Sequence, residues 1–330
     1  MTRFAIIGAG IAGLSCADKL KSAGHSVALF DKGRGPGGRM STRRMATSLG
    51  EAAFDHGAQY FTVRDPAFKR QLGIWANLGI AAPWPAAGTD AWVGVPRMTA
   101  IISHMAADHE VAWEHIVTGI VRRTEGWLAR GKETDHGPFD AIILAMPAEQ
   151  AAPLVSLHDF TMGRVALAAR SQPCWTGMFA FAEPLSGMSA IVRNAGDIAW
   201  AARNSSKLGR TGPEAWVVQA NAAWSQEHLE DSPERVAKLL LEMLAMAAGG
   251  HLPKPVAEVA HRWRFALSAG TGDGALWNPA LALGVCGDWL LGPRVECAWL
   301  SGQMLAAHCI KAARLAERLV DVPIFSCRPD

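Results

Sequence analysis

The sequence predicts an α/β protein in which a parallel-sheet domain carries an inserted α+β domain built on an antiparallel sheet. Three observations support this. The chain opens with an apolar strand, a glycine-rich turn and a helix, and it closes with another buried strand followed by a long helix. Between them, several strand-like segments surround a single strong helix pattern and lack any glycine-rich turn.

Composition limits the classes of function. Half of the 330 residues are hydrophobic and the formal net charge is +2, so a large core is expected. The absence of a lysine- or arginine-rich run argues against a nucleic-acid partner. No apolar run reaches the length of a membrane span, so stable membrane association is not expected. The six cysteines form no C-x-x-C pair, which predicts no metal site and favours a cytoplasmic, reducing compartment.

The first element is a β-α-β unit that is typical of dinucleotide binding. RFAIIG reads as a buried strand, GAGIAG as the turn, LSCADKLKSAG as a helix and HSVALFD as a second strand ending at Asp31. Gly8 makes the turn, Gly10 admits the pyrophosphate, and Gly13 lets the helix pack on the strand. The pyrophosphate then lies at the helix N-terminus, and Asp31 accepts hydrogen bonds from a ribose.

The stretch FDKGRGPGGRM, residues 30–40, indicates which dinucleotide is bound. Gly37, Gly38 and Arg39 follow Asp31, and the whole run resembles the extended FAD fingerprint of glutathione-reductase-type flavoproteins, which include amine oxidases. That group usually has Glu at the place of Asp31, but the shorter acid still reaches a ribose. Arginine suits phosphate recognition, so Arg39 is expected near the phosphates.

The middle of the chain predicts the inserted substrate domain. FTMGRVALAARSQPCWTGMFAFAEP, DIAWAARNSSK, EAWVVQANAAW and VAEVAHRWRFALSA read as strands, and SPERVAKLLLEMLAMAAGG reads as a covering helix. RDPAFKRQLGIWANLG predicts another helix with an Asp-Pro start. The predicted boundaries are 1–64, 93–160 and 281–330 for the FAD-binding domain, and 65–92 and 161–280 for the substrate domain.

The closing unit strengthens the resemblance. A strand ends at Gly287 and Asp288, and a long helix starts between Val295 and Trp299. In amine-oxidase-type flavoproteins this helix points its N-terminus at flavin N1 and O2, and the aspartate holds the ribityl or pyrophosphate side. GAGIAGLS, FDKGRGPGGRMSTRR, FDHGAQYFTVRD, HRWRFA, VCGDW and RVECAWLSGQ together closely resemble bacterial renalases. The departures are Cys297, where glycine is expected, and the tail DVPIFSCRPD.

The resemblance implies an enzyme with noncovalent FAD. It would oxidise dihydro-NAD(P) isomers reduced at ring position 2 or 6 to NAD(P)+, with O2 reoxidising the flavin to give H2O2. The flavin itself accepts the hydride, so no catalytic side chain is assigned. The resemblance also places the segment 57–59 beside flavin N5 and O4. The predicted FAD-binding residues are Gly8, Gly10, Ile11, Ala12, Gly13, Asp31, Lys32, Gly38, Arg39, Met40, Gly57, Ala58, Gln59, Gly287, Asp288, Val295, Glu296, Ala298 and Trp299.

Substrate contacts are expected from the inserted domain. His261 and Trp263 share one face of a strand, and Arg262 takes the other. The polar turn ARNSSK suits the phosphates of a substrate, whereas a solvated loop is the ordinary alternative for it. Ordinary packing of a half-buried strand is the alternative for the histidine region. The predicted substrate-binding residues are His261, Arg262, Trp263, Tyr60, Arg203, Asn204 and Lys207.

Two other functions fit the same motifs. A flavin amine oxidase or desaturase-like enzyme is the first, although amine oxidases usually hold the amine between two aromatic rings. Tyr60 is the only tyrosine, which excludes a two-tyrosine cage but leaves tryptophan as a substitute. An FAD-binding protein without turnover is the second.

Overall fold

The computed structural model describes residues 1–320, with side chains to residue 315; the tail DVPIFSCRPD lies outside the described residues. The strands are β1 (Arg3–Ile7), β2 (Ser26–Phe30), β3 (Thr42–Thr47), β4 (Gly50–Asp55), β5 (Phe61–Thr62), β6 (Ala81–Pro83), β7 (Ala91–Gly94), β8 (Val111–Ala112), β9 (Gly119–Arg123), β10 (Gly126–Arg130), β11 (Asp135–Phe139), β12 (Ala141–Leu144), β13 (Ser171–Phe181), β14 (Ile191–Ala195), β15 (Ile198–Arg203), β16 (Glu214–Ala220), β17 (Ala257–Ser268), β18 (Leu276–Asn278) and β19 (Leu283–Val285). The α-helices are α1 (Ile11–Ser22), α2 (Pro66–Asn77), α3 (Thr99–Ala107), α4 (Ala148–Val155), α5 (Phe160–Ala168), α6 (Ala222–Glu227), α7 (Pro233–Ala247) and α8 (Val295–Val320).

A six-stranded sheet of the order β18-β19-β12-β1-β2-β8 forms the first domain. Its strands are parallel except β18, which pairs antiparallel with β19. The central strand is β1, where Ile6 lies opposite Leu29 on one side and Ile143 on the other. Residues of α1 and α8 share a core with one face of the sheet, and residues of α4 and α5 share a core with the other. The predicted parallel sheet is confirmed, and helices cover both of its faces.

A five-stranded antiparallel sheet of the order β14-β15-β16-β13-β17 forms the second domain. On one face, Trp175 and Phe179 of β13 pack in a cluster with Leu240 of α7. Because side chains alternate along a strand, Met178 points to the opposite face, where it packs with Phe54 of β4. The predicted antiparallel sheet and its covering helix are confirmed. The face that α7 does not cover, which we call the uncovered face, packs with β4 and is turned toward the first domain.

Helix α5 corrects one expectation. The sequence pattern predicts a strand for FTMGRVALA, but Phe160–Ala168 is helical and the strand begins only at Ser171. The side chain of Asp159 caps the helix by accepting a hydrogen bond from the backbone N–H of Met162 at 2.9 Å. Met162 and Ala166, four residues apart, are buried against the first domain. The capping aspartate and the four-residue spacing of the buried side chains are the signals of a helix in this apolar run.

Some segments predicted for the substrate domain contact the first domain. Besides α5, these are β18, which extends the six-stranded sheet, and α2, whose Phe68 and Trp75 share a core with α1 and α8. The predicted start of α2 is confirmed, since the Asp65 side chain accepts hydrogen bonds from the first turn. The predicted start of α7 is also confirmed, with Ser232 as its capping residue.

The close contact of α1 with α8 leads to the first testable prediction. A Cβ at Gly302 of α8 would lie 2.1 Å from the carbonyl oxygen of Ala12 in α1, whereas a Cβ at Gly73 of α2 would meet nothing within 4 Å. Gly302→Ala should therefore force the helices apart and lower the free energy of unfolding by about 1–3 kcal/mol. Gly73→Ala should raise it by up to about 1 kcal/mol, because alanine favours the helix. Urea unfolding of both variants checks this; equal midpoints would contradict it.

Candidate functional site

The turn between β1 and α1 is shaped to receive an anionic group. Gly8 has a φ of +111°, and a Cβ there would lie 2.2 Å from the carbonyl oxygen of Ala145. A Cβ at Gly13 would lie 2.0 Å from the carbonyl oxygen of Gly8. Gly10 begins α1 without a side-chain cap, no acidic residue lies in the first turn, and a Cβ on Gly10 would point into open space. Free N–H groups at an unobstructed helix N-terminus fit the pyrophosphate of a dinucleotide.

Asp31 lies at the end of β2, beside this turn. One carboxylate oxygen accepts from the backbone N–H of Ala9 and the other from the N–H of Gly33, both at 2.7 Å. A carboxylate has about four acceptor positions, so lone pairs are left for a ribose hydroxyl. The neighbouring Lys32 is exposed. The predicted ribose-binding acid is thus held in place by the backbone of both loops around it.

Arg39 and Asp288, predicted from opposite ends of the chain, form one ion pair. The guanidinium donates two hydrogen bonds to the carboxylate, at 2.8 and 2.5 Å, and a third to the carbonyl oxygen of Ala266 at 3.0 Å. Gly38, just before Arg39, lies against Gly10 of the phosphate-binding turn. The structure therefore brings the N-terminal fingerprint and the C-terminal Gly-Asp turn together.

The start of α8 is anchored by Glu296. Its carboxylate accepts from the backbone N–H groups of Arg64 and Asp65, both at 2.6 Å, and from the Arg294 side chain at 2.8 Å. This buried acid therefore joins the start of α8 to the start of α2. Among the other predicted residues of this region, Val295 is half-buried, whereas Met40, Gly287, Ala298 and Trp299 are buried.

A buried ion-pair network lies where β4 ends. Asp55 is fully buried, and its carboxylate accepts hydrogen bonds from Thr42 at 2.7 Å, the backbone of Met98 at 3.1 Å, Lys207 at 3.2 Å and Arg210 at 2.5 Å. Burial raises the pKa of Asp55, but the charges of Lys207 and Arg210, with the hydrogen bonds from Arg210 and Thr42, outweigh burial and hold it well below the ordinary value. Asp55 is therefore a fixed negative charge.

Lys207 connects this network to the predicted flavin segment. Its ammonium donates to Asn204 at 2.9 Å and to the side-chain oxygen of Gln59 at 3.3 Å. The Gln59 amide in turn donates to the carbonyl oxygens of Asp55 and Gly57. Burial lowers the pKa of Lys207 to about 8, opposed by the charge of Asp55. A solvated turn, the ordinary alternative for ARNSSK, is wrong for this residue, since its side chain is 0% exposed.

The segment after β4 crosses the uncovered face of the five-stranded sheet. His56 stacks on Trp263, with ring centroids 5.1 Å apart, and meets His261 edge-to-face at 5.0 Å. The Trp263 indole N–H donates to the carbonyl oxygen of His56 at 2.8 Å, and the Gln219 amide donates to the carbonyl oxygen of Gly57 at 2.9 Å. The predicted pair of residues 261 and 263 thus faces the segment that carries the predicted flavin contacts.

The histidines in this cluster are neutral at pH 7. Burial, with a smaller contribution from His261, lowers the pKa of His56 to about 4. Burial, followed by the charge of Arg43, also lowers the pKa of His261. We call the segment 55–59, together with the face of the sheet that carries His261 and Trp263, the cleft. It holds aromatic rings and weakly basic imidazoles beside one locked carboxylate, an environment that suits a flat, uncharged ring.

Two predicted substrate residues are not brought to this face. Arg262 lies on the opposite face of β17, over the ring of Trp175, and donates to the carbonyl oxygen of Leu229. Arg203 pairs with Glu214 at 3.0 Å. Side chains alternate between the two faces of a strand. Because His261 and Trp263 point toward the site, the side chain of Arg262 between them points away from it. A contact of Arg262 with substrate stays a prediction, and this placement does not favour it.

Tyr60 belongs to an aromatic cluster farther along the same face. Its ring lies 5.2 Å from that of Trp200 at an interplanar angle of 33°, and 6.3 Å from that of Trp84. The guanidinium of Arg193 covers the Trp200 ring at 4.8 Å, and the ammonium of Lys207 lies 5.0 Å from the centre of the Trp84 ring. We call Tyr60, Trp84 and Trp200 the aromatic cluster.

Sequence reasoning missed several residues of the cleft. Asp55 and His56 stand at the end of a buried strand, in the segment FDHGAQYF, where two polar side chains interrupt an apolar pattern. That interruption was an available signal. No local sequence pattern marks Arg210 or Gln219 as residues of the site, because their partners Asp55 and Gly57 lie far away in the sequence.

Comparison with known proteins agrees with this geometry. Residues 6–73 match the family model of an NAD(P)-binding Rossmann-like domain. A protein of Exiguobacterium sp. 255-15, provisionally described as a protoporphyrinogen oxidase, superimposes with a TM-score of 0.74 at 11% identity, covering 94% of this chain and 99% of that one. Cyclohexylamine oxidase from Brevibacterium oxydans IH-35A superimposes with a TM-score of 0.73 at 13% identity, covering 95% and 99%. The chain thus shares the fold of these oxidases.

A sequence relative adds to this likeness of fold. The chain is 26% identical to renalase of Mus musculus over 301 residues, with 80% of this chain and 85% of the mouse protein covered. The chain is therefore similar to renalase along most of its length, and an oxidoreductase is the class of enzyme that this similarity supports. Within residues 1–320, no helix is long and apolar enough to cross a bilayer.

The buried network gives the second prediction. Asp55→Asn leaves two buried cations without their anion and should lower the free energy of unfolding by about 3–5 kcal/mol at pH 7. Glu230→Gln removes an exposed acid that pairs with Arg262 and Arg264, and should leave stability unchanged within error. Because the folded pKa of Asp55 is depressed, its contribution is present above the ordinary aspartate pKa and fades as pH falls below it. Equal urea midpoints at pH 7 would contradict the prediction.

Proposed function

We propose that the chain binds FAD noncovalently across the edge of the six-stranded sheet. The glycine turn before α1 would hold the pyrophosphate and Asp31 the ribose. The open N-terminus of α1 and the spare acceptor positions of Asp31 support this. Arg39 and Asp288 would line the same cleft. FAD supplies a hydride acceptor and a route for the electrons to O2, which leaves as H2O2.

The proposed reaction is oxidation of dihydro-NAD(P) isomers, reduced at ring position 2 or 6, to NAD(P)+. One observation carries it: the titratable groups on the cleft, His56, His261 and Asp55, are either neutral or locked in ion pairs. Loss of a hydride turns a dihydropyridine directly into an aromatic pyridinium, so no proton has to be removed. A cleft whose imidazoles are weak bases and whose carboxylate is held in ion pairs suits that reaction, and the similarity to renalase supports the substrate class.

The described residues have definite tasks in this proposal. His261 and Trp263 would form the wall against which the flat ring lies, and the stack of His56 on Trp263 would keep that wall rigid. The network around Asp55 and Lys207 would fix the segment that ends at Gln59. Rigid alignment of two rings is what hydride transfer requires, because the rate falls steeply when the reacting atoms are misplaced.

An amine oxidase is the second candidate, and the aromatic cluster favours it. Tyr60 and Trp200 are neighbouring rings 5.2 Å apart with a tilt of 33°, and aromatic rings are what amine oxidases use to hold an amine. However, the faces of Trp200 and Trp84 already carry the cations of Arg193 and Lys207, which repel a protonated amine. A protein that binds FAD without turnover is the third candidate.

Anaerobic reduction of the purified yellow protein tests the proposed reaction. We expect one of the 2- or 6-dihydro isomers of NAD(P) to bleach the visible flavin band rapidly, while ordinary NADH and a panel of amines do not. NAD(P)+ should accumulate, and H2O2 should form when air is admitted. Bleaching by amines alone would assign the chain to the amine oxidases, and bleaching by none of these donors would favour the non-catalytic protein.

The pH profile gives an independent prediction. Burial lowers the pKa of His56 to about 4, lowers that of His261 below its ordinary value and leaves that of Lys207 at about 8, so both imidazoles are neutral and the ammonium is charged near pH 7. The rate constant of flavin reduction by the dihydro isomer should therefore vary less than about twofold from roughly pH 5.5 to pH 7. Stopped-flow reduction at fixed ionic strength measures it. A tenfold rise per pH unit, as deprotonation of an amine substrate or a histidine base produces, would contradict the prediction.

A further inference from the structure

A continuous row of side chains crosses the uncovered face of the five-stranded sheet. Residues directly opposite one another on antiparallel strands point to the same face. From β17 through β13, β16 and β15 to β14, the register aligns His261, Thr176, Gln219, Trp200 and Arg193. His261 to Trp200 spans three strand spacings, or about 14 Å. The row thus joins the proposed ring site at one end to the aromatic cluster at the other.

The aromatic cluster contains donors that lack acceptors. Within the described part of the chain, the indole N–H groups of Trp84 and Trp200 are shielded from solvent and have no hydrogen-bond partner. Trp84 is only 3% exposed. A buried donor without an acceptor is costly, so two of them in neighbouring rings call for an explanation. A ligand that brings acceptor atoms to the cluster would provide one.

Arg193 covers this cluster from the solvent side. Its exposed side chain lies over the Trp200 ring and donates to the carbonyl oxygen of Ala87 at 2.7 Å, in the loop that also carries Trp84. A planar guanidinium over an indole occupies the position that a flat base would take. Exposed contacts of this kind are weak, so the side chain can leave the ring and meet a phosphate instead.

We propose that Trp200 and Arg193 form a second substrate subsite, which takes the adenosine-phosphate half of a dinucleotide. The base would stack on Trp200, and Arg193 would turn to the phosphates. This deepens the proposed function and rests on it, because a dihydro-NAD(P) whose nicotinamide lies beside His261 must place its other half somewhere along the cleft. The row leads to the one aromatic platform described above that carries both a movable cation and unpaired donors.

Kinetics with dinucleotide and mononucleotide substrates test the subsite. The variants are Trp200→Leu, Trp200→Phe and Arg193→Ala in the FAD-loaded protein. Arg122→Ala is the matched control, because Arg122 lies over Trp127 at 5.4 Å and donates to the carbonyl oxygen of Leu281 at 2.8 Å, yet belongs to β9. Trp200→Leu should raise KM for the dihydro dinucleotide about tenfold, and Trp200→Phe less, since one ring still stacks. Arg193→Ala should raise KM roughly fivefold.

The dihydro mononucleotide separates a binding role from a structural one. Its KM and kcat should be unchanged in all of these variants, and Arg122→Ala should leave both substrates unaffected. Equal rises in KM for the two substrates would overturn the subsite, because misfolding or a shifted cleft affects both. An unchanged KM for the dinucleotide would overturn it as well.

Binding of ADP-ribose tests the subsite even if the proposed reaction fails. Calorimetry on the FAD-loaded protein should show ADP-ribose binding that Trp200→Leu and Arg193→Ala weaken by about the same factors and Arg122→Ala does not. If no dihydro isomer is oxidised but this pattern holds, the reaction is wrong and the subsite stands. If the dihydro isomers are oxidised but the variants bind ADP-ribose like the parent protein, the subsite is wrong and the reaction stands.

Discussion

The buried carboxylate of Asp55 is the constraint on which the cleft depends. An ionised carboxylate without solvent is tolerable only when cations and hydrogen-bond donors surround it. Two of its partners, Lys207 and Arg210, lie after β15, whereas Asp55 itself ends β4. The network therefore ties the hairpin β3–β4 to the loop that follows β15. Electrostatics thus fixes the segment 56–60 against one face of the five-stranded sheet.

The same network shapes the chemistry of the cleft. In this network the charges of Asp55 and Lys207 neutralise each other. Burial keeps His56 and His261 uncharged. What is left facing the cleft is aromatic and polar, and its imidazoles are weak bases. Such a surface suits a flat ring that gives up a hydride better than a substrate that must first lose a proton.

The sequence predicts the parts of this structure that depend on local order. The glycine spacing defines the turn before α1, and strand alternation places His261 and Trp263 on one face, because period and turn geometry are properties of neighbouring residues. Alternation alone does not say which face meets the first domain, so Arg262 could not be excluded. The cationic partners of Asp55, Lys207 and Arg210, are 152 and 155 residues away, and no local pattern encodes a pairing over that separation. The strand predicted for Phe160–Ala168 failed because a capping aspartate and a four-residue apolar spacing outweighed the apolar run.

The contacts of Arg39 fix the two ends of the cleft relative to each other. The guanidinium of Arg39 binds Asp288 from the C-terminal unit and the carbonyl oxygen of Ala266 in β17. β17 is a single strand of twelve residues, and its middle carries His261 and Trp263. One strand therefore links the predicted cofactor cleft to the face of the sheet that carries the row of side chains. Because Arg39 holds one end of that strand and the contacts of His56 hold its middle, the distance between the two sites is set by covalent geometry rather than by a flexible hinge. A rigid spacing of this kind suits a reaction in which two rings must meet in a fixed alignment.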